Sequence, residues 1–477
     1  MKNCGCHLLV ATFAVGVVYA VCGVDSTWTG GGAADPPSID QGSVTLTKTG
    51  SYATVTYRLT GAPAIVTLDV QTNTLDNGAG EWVSIGGENV QTLEGDVNCI
   101  VRGTDVLHSF RWKAHADFPD QLIKTARIRA ELTAWATNAP PDWLVVGLQK
   151  SHDVRFYATT NYLPGGFSDR RYKTTELLMH KIPAAGVVWR MGAPTNEMSR
   201  STSGETEANY HLRLTNETTR LVMLTEDYYM GVFEATQAQT TNISPNTFTL
   251  AWTDALAQPK LENSELMPED IDLLPMGGMR HTDLRGSGVW PQLGRANVAA
   301  NSVIGKLRTI SGLDGFDLPT EAQWEYACRA GTETAFCNGK TASQANGEEV
   351  GWVSSNSNWV DETKKQKFAH PVGHPDRCNA FMLYDMHGNI QESCVDRGAV
   401  GDDLLALLAP DYALRGVTVD PIGPSSWSTG YDSRCLRRGG SVAHTWKDAR
   451  SGAHNLGTYT ASYYYNGFRL WHPAVFK

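Results

Sequence analysis

The residues best placed to do chemistry lie in one short stretch, Leu383-Tyr384-Asp385-Met386-His387-Gly388-Asn389-Ile390-Gln391-Glu392-Ser393-Cys394-Val395-Asp396. Asp385 and Glu392 carry acid oxygens, and a Gly-Asn pair lies between them. Gly388 and Asn389 tolerate a positive φ, so the chain can turn sharply there. Such a turn can gather both carboxylates and the intervening carbonyls round one point. Side-chain and backbone oxygens in a short loop suit a hard cation, calcium first. The same spacing serves a plainer structure, a turn between buried strands with Asp385 capping it and Glu392 in an ion pair. It does not meet the ligand pattern of an EF-hand loop, and both readings stay open at this point.

The elements that must hold this loop are legible in part. Pro319 to Arg329 reads as a helix. Thr320 and Gln323 form a capping box, and Glu321 sits in the first turn. Trp324, Ala327 and Cys328 fall on one face and point to the core. A second helix is expected over 298–310, where Val303, Ile304, Leu307 and Ile310 share a face and Gly312 ends the run. Strands are expected at His211–Leu214, Leu221–Leu224 and Tyr228–Phe233. Residues 40–149 alternate apolar and polar: Val55, Tyr57, Leu59; then Val66, Leu68, Val70; then Ile128, Ala130, Leu132, Ala134. A period of two buries one face of each strand. Turns at Gly50-Ser51, Gly61-Ala62-Pro63 and Asn77-Gly78 punctuate them. Short strands at this spacing predict a β-sandwich of immunoglobulin or fibronectin type, with Leu144–Leu148 as its last strand and Trp135 and Trp143 in its core. His108 and His115 read as structural rather than as metal ligands. The boundary falls near residue 150, with a second domain over 150–477.

A chain of 477 residues, 41% hydrophobic, can bury two sizeable cores. Its net charge of −10 is interspersed, which argues against nucleic acid or an anionic membrane surface as partner. Residues 1–22 read as an export signal. Lys2 starts it, an apolar run from Leu8 to Val21 follows, and Val18-Tyr19-Ala20 offers a cleavage site. The run is short for a membrane span. Cys22 admits a lipid anchor, but Val21 before it favours simple secretion. The expected location is therefore secreted, periplasmic or cell-surface. Cys99, Cys328, Cys337, Cys378, Cys394 and Cys435 remain after the signal. No pair has the close spacing of a zinc or redox site, and Cys328 reads as a free core thiol.

The central stretch also resembles a known family. Asn379-Ala380-Phe381-Met382-Leu383-Tyr384-Asp385-Met386-His387-Gly388-Asn389 is similar to the core of the formylglycine-generating-enzyme (sulfatase-modifying factor) superfamily. Met191-Gly192-Ala193-Pro194, Gly231-Val232-Phe233-Glu234-Ala235-Thr236-Gln237, Leu318-Pro319-Thr320-Glu321-Ala322-Gln323-Trp324-Glu325, Arg438-Gly439-Gly440-Ser441 and Gly467-Phe468-Arg469-Leu470 follow the family's order. The resemblance implies a C-type-lectin-like α+β domain over 181–477, with a helix at Thr236. It implies calcium held by the side chains of Asp385 and Glu392 and the carbonyls of Gly388 and Ile390. The family's aromatic-Glu-aromatic triplet is here Gln391-Glu392-Ser393, so two large rings beside the loop are lost.

Activity turns on the residues after Ser441. The resemblance implies that catalytic members hold copper on two cysteines there and oxidise a substrate cysteine with oxygen. Soft thiolates select monovalent copper. The matching positions are His444 and Ala449, and no cysteine follows Cys435. No copper and no catalytic residue are therefore expected. The helical domain of the family's iron-dependent sulfoxide synthases, with its H-x3-H-x-E motif, has no match either. His444 reads as a hydrogen-bonded loop histidine, with a ligand or general-base role as the sharper alternative. Two functions remain. One is a secreted, calcium-stabilised binding or assembly module for a glycan or another exported protein. The other is an enzyme that oxidatively modifies exported proteins at an unrecognised metal site.

Overall fold

Alternation does build strands through the N-terminal region. The computed structural model describes residues 36–119, 124–194, 219–245, 268–287, 297–357, 366–397, 416–422 and 434–476, with a few positions between them. The expected export signal, Cys22 and the strand at His211–Leu214 lie outside the described residues.

Strands β1 (Ser38–Thr49) and β2 (Tyr52–Thr60) pair antiparallel across the turn at Gly50-Ser51. They are followed by β3 (Ala64–Asn73), β4 (Trp82–Ser84), β5 (Leu93–Gly95), β6 (Cys99–Val101), β7 (Leu107–Trp112) and β8 (Ile128–Ala136). One sheet has the order β1-β2-β7-β5. The other has β4-β3-β6, with β8 also paired to β3. Val55, Tyr57 and Leu59 meet Val66, Leu68 and Val70 in one core with Phe110, Trp112 and Leu132. Each such side chain contributes roughly 1.5–3 kcal/mol by burial. His108 spans this layer as a structural group. Its Nδ1 meets Asp96 Oδ2 at 2.9 Å and its Nε2 meets the Gly103 carbonyl at 2.8 Å.

The strand expected at Leu144–Leu148 forms as β9 (Trp143–Gly147), but it does not close the first sandwich. It is an inner strand of a five-stranded sheet, β10-β9-β11-β14-β22, with β10 at Val154–Tyr157, β11 at Glu176–Ile182, β14 at Tyr228–Gly231 and β22 at Trp471–Pro473. The reason is its two apolar faces. All five residues are buried, and a strand buried on both sides needs a layer on each. Leu144 and Val146 pack into the main core, while Trp143 and Val145 join a second cluster. Trp143 stacks on His180 at 4.2 Å, away from the first sandwich.

Strands β12 (Val188–Met191), β13 (Arg220–Met223) and β18 (Val417–Val419) form a small three-stranded sheet, and β15 (Val360–Asp361) pairs with β16 (Gln366–Lys367). The remaining sheet, β20-β19-β17-β21, comprises β17 (Gln391–Arg397), β19 (Arg434–Arg438), β20 (His454–Thr458) and β21 (Asn466–Gly467). Beyond the short α1 (Ala114–Asp117), the helices among the described residues are α2 (Gln237–Ile243), α3 (His281–Arg285), α4 (Val303–Ser311), α5 (Glu321–Arg329) and α6 (Gln344–Val350). The capping box of α5 is present: Gln323 N–H donates to Thr320 Oγ1, and Thr320 N–H to Gln323 Oε1. Thr236 caps α2 with Gln239 in the same way. Helix α4 is shorter than expected at its start, because Ser302 caps it with its hydroxyl on the Gly305 N–H. Gly312 ends it at φ 71°.

Candidate functional site

The loop Asp385–Glu392 turns through three left-handed residues, Asp385 at φ 59°, Gly388 at 84° and Asn389 at 58°. Gly388 is required there. A Cβ would stand 2.1 Å from the Trp352 carbonyl oxygen, which accepts the Asn389 N–H at 2.8 Å. Asn389 suits its own position because its amide closes local bonds. Its Oδ1 accepts the His370 N–H at 2.8 Å, and its Nδ2 donates to Glu234 Oε2 at 2.7 Å. Glu234 Oε1 also accepts the Ile390 N–H at 3.1 Å, so one carboxyl straps two consecutive loop residues.

Arg469 fills the centre. Its Nη2 donates to Glu392 Oε1 at 2.6 Å and to the Tyr384 carbonyl at 2.7 Å. Its Nη1 donates to the Gly231 and Val232 carbonyls at 2.8 and 3.0 Å. Its Nε lies 3.0 Å from both oxygens of Glu392. Glu392 Oε2 further accepts the Trp324 indole N–H at 2.6 Å, which ties α5 to the loop. At the same corner Asp396 Oδ2 accepts the Glu321 N–H at 2.7 Å.

The two acids read from the sequence therefore have different surroundings. Glu392 has its lone pairs committed to Arg469 and Trp324. Asp385 is buried, accepts the Gly373 N–H at 2.9 Å on Oδ2, and has no hydrogen-bond partner on Oδ1. Burial pushes the Asp385 carboxyl up to about 6, against the pull of the Gly373 amide and of Arg469, Arg377 and Lys173. Burial, with Asp385 and Glu392 adding to it, pushes Glu234 well above the usual carboxylate range. An orphaned oxygen in this setting fits a hard cation. Glu392 fits one only by giving up its guanidinium. Among the described residues, no group of three or more His, Cys, Asp or Glu side chains is arranged to hold a metal ion.

The second place of interest is the turn after Ser441. Ser441 Oγ and His444 Nδ1 are 2.6 Å apart, and Gln391 Nε2 lies 3.4 Å from the same imidazole. Ala449 is buried, and its carbonyl accepts from His387 Nδ1 at 2.7 Å. Burial depresses His387 to about 4, which keeps the ring neutral with its proton on that nitrogen. The Cys328 thiol lies 3.7 Å from His387 Nε2, fully buried, and burial holds it well above its ordinary value. Cys394 is buried in β17 with the same consequence. Beside His444 is a ring cluster: Tyr465 meets its edge at 4.9 Å, and Tyr463 lies parallel to Tyr465 at 5.3 Å and 3°. Tyr463 is 50% exposed.

Four anchors were not foreseen. Arg469 and Glu234 lie in motifs noted in the sequence, yet nothing in spacing says that they meet Glu392 and Asn389. Arg438 Nη2 lies 2.5 Å from Glu321 and 2.9 Å from Glu325. Arg450 pairs with Glu197 at 2.6 Å and Glu217 at 2.9 Å.

Comparison with known proteins follows this geometry. A chaperone protein, LppX of Paenibacillus barcinonensis, is 33% identical over 92 residues, covering 17% of this chain and 32% of that protein, so the chain matches about a third of that relative's length. Variable protein 1 of Treponema denticola is 19% identical over 62% of this chain and 95% of that one, with a TM-score of 0.41. PvdO from Pseudomonas aeruginosa is 19% identical over 62% and 94%, with a TM-score of 0.37. CarF is 15% identical over 61% and 99%, with a TM-score of 0.31. Residues 192–473, more than half of the chain, match the sulfatase-modifying factor enzyme 1-like domain, and the chain belongs to that family.

Proposed function

We propose that this chain is an exported binding module that keeps its family's domain without the oxidase chemistry. The observation that carries the reading is the state of the two positions where the resemblance places thiolates. His444 is held by Ser441, and Ala449 is a buried residue whose carbonyl anchors His387. Neither offers sulfur to copper, and both have structural work. The binding face is the ring cluster of Tyr463 and Tyr465 beside His444. Tyrosine gives wide, rigid, amphipathic contact at small entropic cost. A glycan or an exported protein suits such a face.

Three finer points belong to the same reading. The two N-terminal sheets support a sandwich of immunoglobulin or fibronectin type. The loop-rich sheets over 181–477 suit a C-type-lectin-like arrangement. Calcium is the third point. Asp385 Oδ1, with the carbonyls of Gly388 and Ile390, would hold it, and it would supply charge balance for a buried carboxylate. With Glu392 kept by Arg469, one carboxylate remains, and few charged ligands mean weak calcium, near about 10⁻⁴–10⁻³ M.

The test is a glycan array and a panel of exported proteins, read with wild type and Tyr463→Ala, alongside oxygen uptake and elemental analysis. The reading expects a ligand that is lost in Tyr463→Ala, with no oxygen uptake. A bound transition metal together with oxygen consumption would replace it with the enzyme reading.

A further inference from the structure

We infer that the N-terminal sheets carry a binding site of their own, for a compact apolar molecule with an acidic head, an aromatic carboxylate in the simplest case. The site is a pocket of about 290 Å³ beside the β1–β2 turn, and every described residue that lines it falls within 46–128. Small-molecule sites begin near about 300 Å³. An apolar cavity of about 150 Å³ holds one benzene ring, so this pocket has room for about two fused rings.

Strand register makes the space. Directly opposed residues of paired strands share a face. One inward row across β1, β2 and β7 is Leu46, Val55 and Phe110, and it packs into the core. The next inward row is Lys48, Ala53 and Trp112. Ala53 offers only a methyl there, and Lys48 carries its charge on a long stem, so the space beside the indole is left open. Leu46 and Ile128 add apolar wall. The indole itself is fixed. Asp117 Oδ2 accepts the Trp112 Nε1–H at 2.7 Å and the backbone N–H groups of Gln91 and Thr92 at 2.9 and 3.2 Å. That carboxylate is committed to these donors and does not line the pocket.

The polar side of the pocket is basic. Lys48 and His115 line it, and no Asp or Glu stands among the described lining residues. Neither side chain makes a hydrogen bond or ion pair with another described residue. His108, by contrast, is bound on both ring nitrogens. The cations nearby are engaged elsewhere. Arg111 meets Glu94 at 3.3 Å, with Lys113 on the same carboxylate, and Lys124 and Arg127 meet Asp76 at 2.6 and 3.1 Å. An inward-pointing lysine on an edge strand has a plainer use, to discourage pairing with another chain. That use needs neither a pocket beside the lysine nor a second basic group across from it. An acidic head between Lys48 and His115, with its body against Trp112 and Ile128, uses both.

The experiment is calorimetric titration of the full chain with naphthalene-2-carboxylate and with its neutral alcohol analogue. Both should saturate by millimolar concentration. The carboxylate should bind about two- to fivefold tighter, the scale of one solvent-exposed ion pair. Lys48→Gln combined with His115→Gln, at two exposed positions, should remove that preference and leave alcohol binding unchanged. Ala53→Leu fills the space beside the indole and should abolish binding of both ligands. Melting curves matching wild type establish that each variant is folded. Where Ala53→Leu melts lower, Thr125→Trp, from an exposed lining residue, serves in its place. No saturation, equal affinity for acid and alcohol, or binding unchanged in the filled variant would each overturn the proposal. Aggregation of the Lys48→Gln chain, with no ligand bound by wild type, would leave the lysine as a guard of the edge strand instead.

Discussion

Replacing Arg469 with Met removes the cation on which the central loop is built. The side chain is fully buried, so no water replaces it. Glu392 would lose its guanidinium and keep only the Trp324 indole, and the Gly231, Val232 and Tyr384 carbonyls would lose their donors. Breaking a buried pair from one side costs about 3–5 kcal/mol, because a charge is left uncompensated. For a domain of this size that corresponds to roughly 10 °C in melting temperature. The assay is thermal and urea unfolding of wild type, Arg469→Met, Glu392→Gln and the double variant. Residues in direct contact should couple, so the double variant should lose less than the sum of the singles by at least about 1 kcal/mol. Additive losses, or a loss under about 1 kcal/mol for Arg469→Met, would refute the claim that this pair holds the loop.

Other outcomes follow from the same geometry. Gly388→Ala sets a Cβ against the Trp352 carbonyl at a left-handed φ, and should cost more than 2 kcal/mol by about the scale of strained backbone positions, read by urea unfolding. Burial opposes ionisation of Glu321 and Glu325, but Arg438, with His454 at the first and Arg329 at the second, holds both below the usual range. Depressed acids contribute stability that is full above their unfolded pKa and is lost as pH falls through the folded one. Stability should therefore drop below about pH 4.5, and Arg438→Met should flatten that limb in an acid titration followed by circular dichroism. Calcium at millimolar concentration should raise the melting temperature over an EDTA control, magnesium should do less, and Asp385→Ala should abolish the response. Identical melting with and without chelator would remove calcium from the account.

Much of this was legible in residue types. The capping box at Thr320, the apolar face of Trp324, Ala327 and Cys328, and the alternating N-terminal strands all rest on local rules, and all three elements form. What local rules do not carry is partnership. Leu144 to Leu148 reads as the end of a sandwich because the preceding strands are near in sequence. Its two buried faces instead place it in a sheet with β11, which follows it, and with β22 near the C-terminus. Asp385 and Glu392 read alike as acids flanking a turn. Only the fold brings Arg469 from 77 residues away to one of them and leaves the other with an orphaned oxygen.

The central claim, a family member that binds rather than oxidises, is tested most directly by one incubation. Purified chain is mixed with copper, oxygen, reductant and a peptide bearing Cys-x-Pro-x-Arg, and the peptide mass is followed. The account predicts no conversion of cysteine to aldehyde, because no thiolate pair flanks His444 and the fully buried Cys328 and Cys394 are held as inert thiols. Copper-dependent appearance of the aldehyde, lost when Cys394 or Cys435 is changed to Ser, would contradict it.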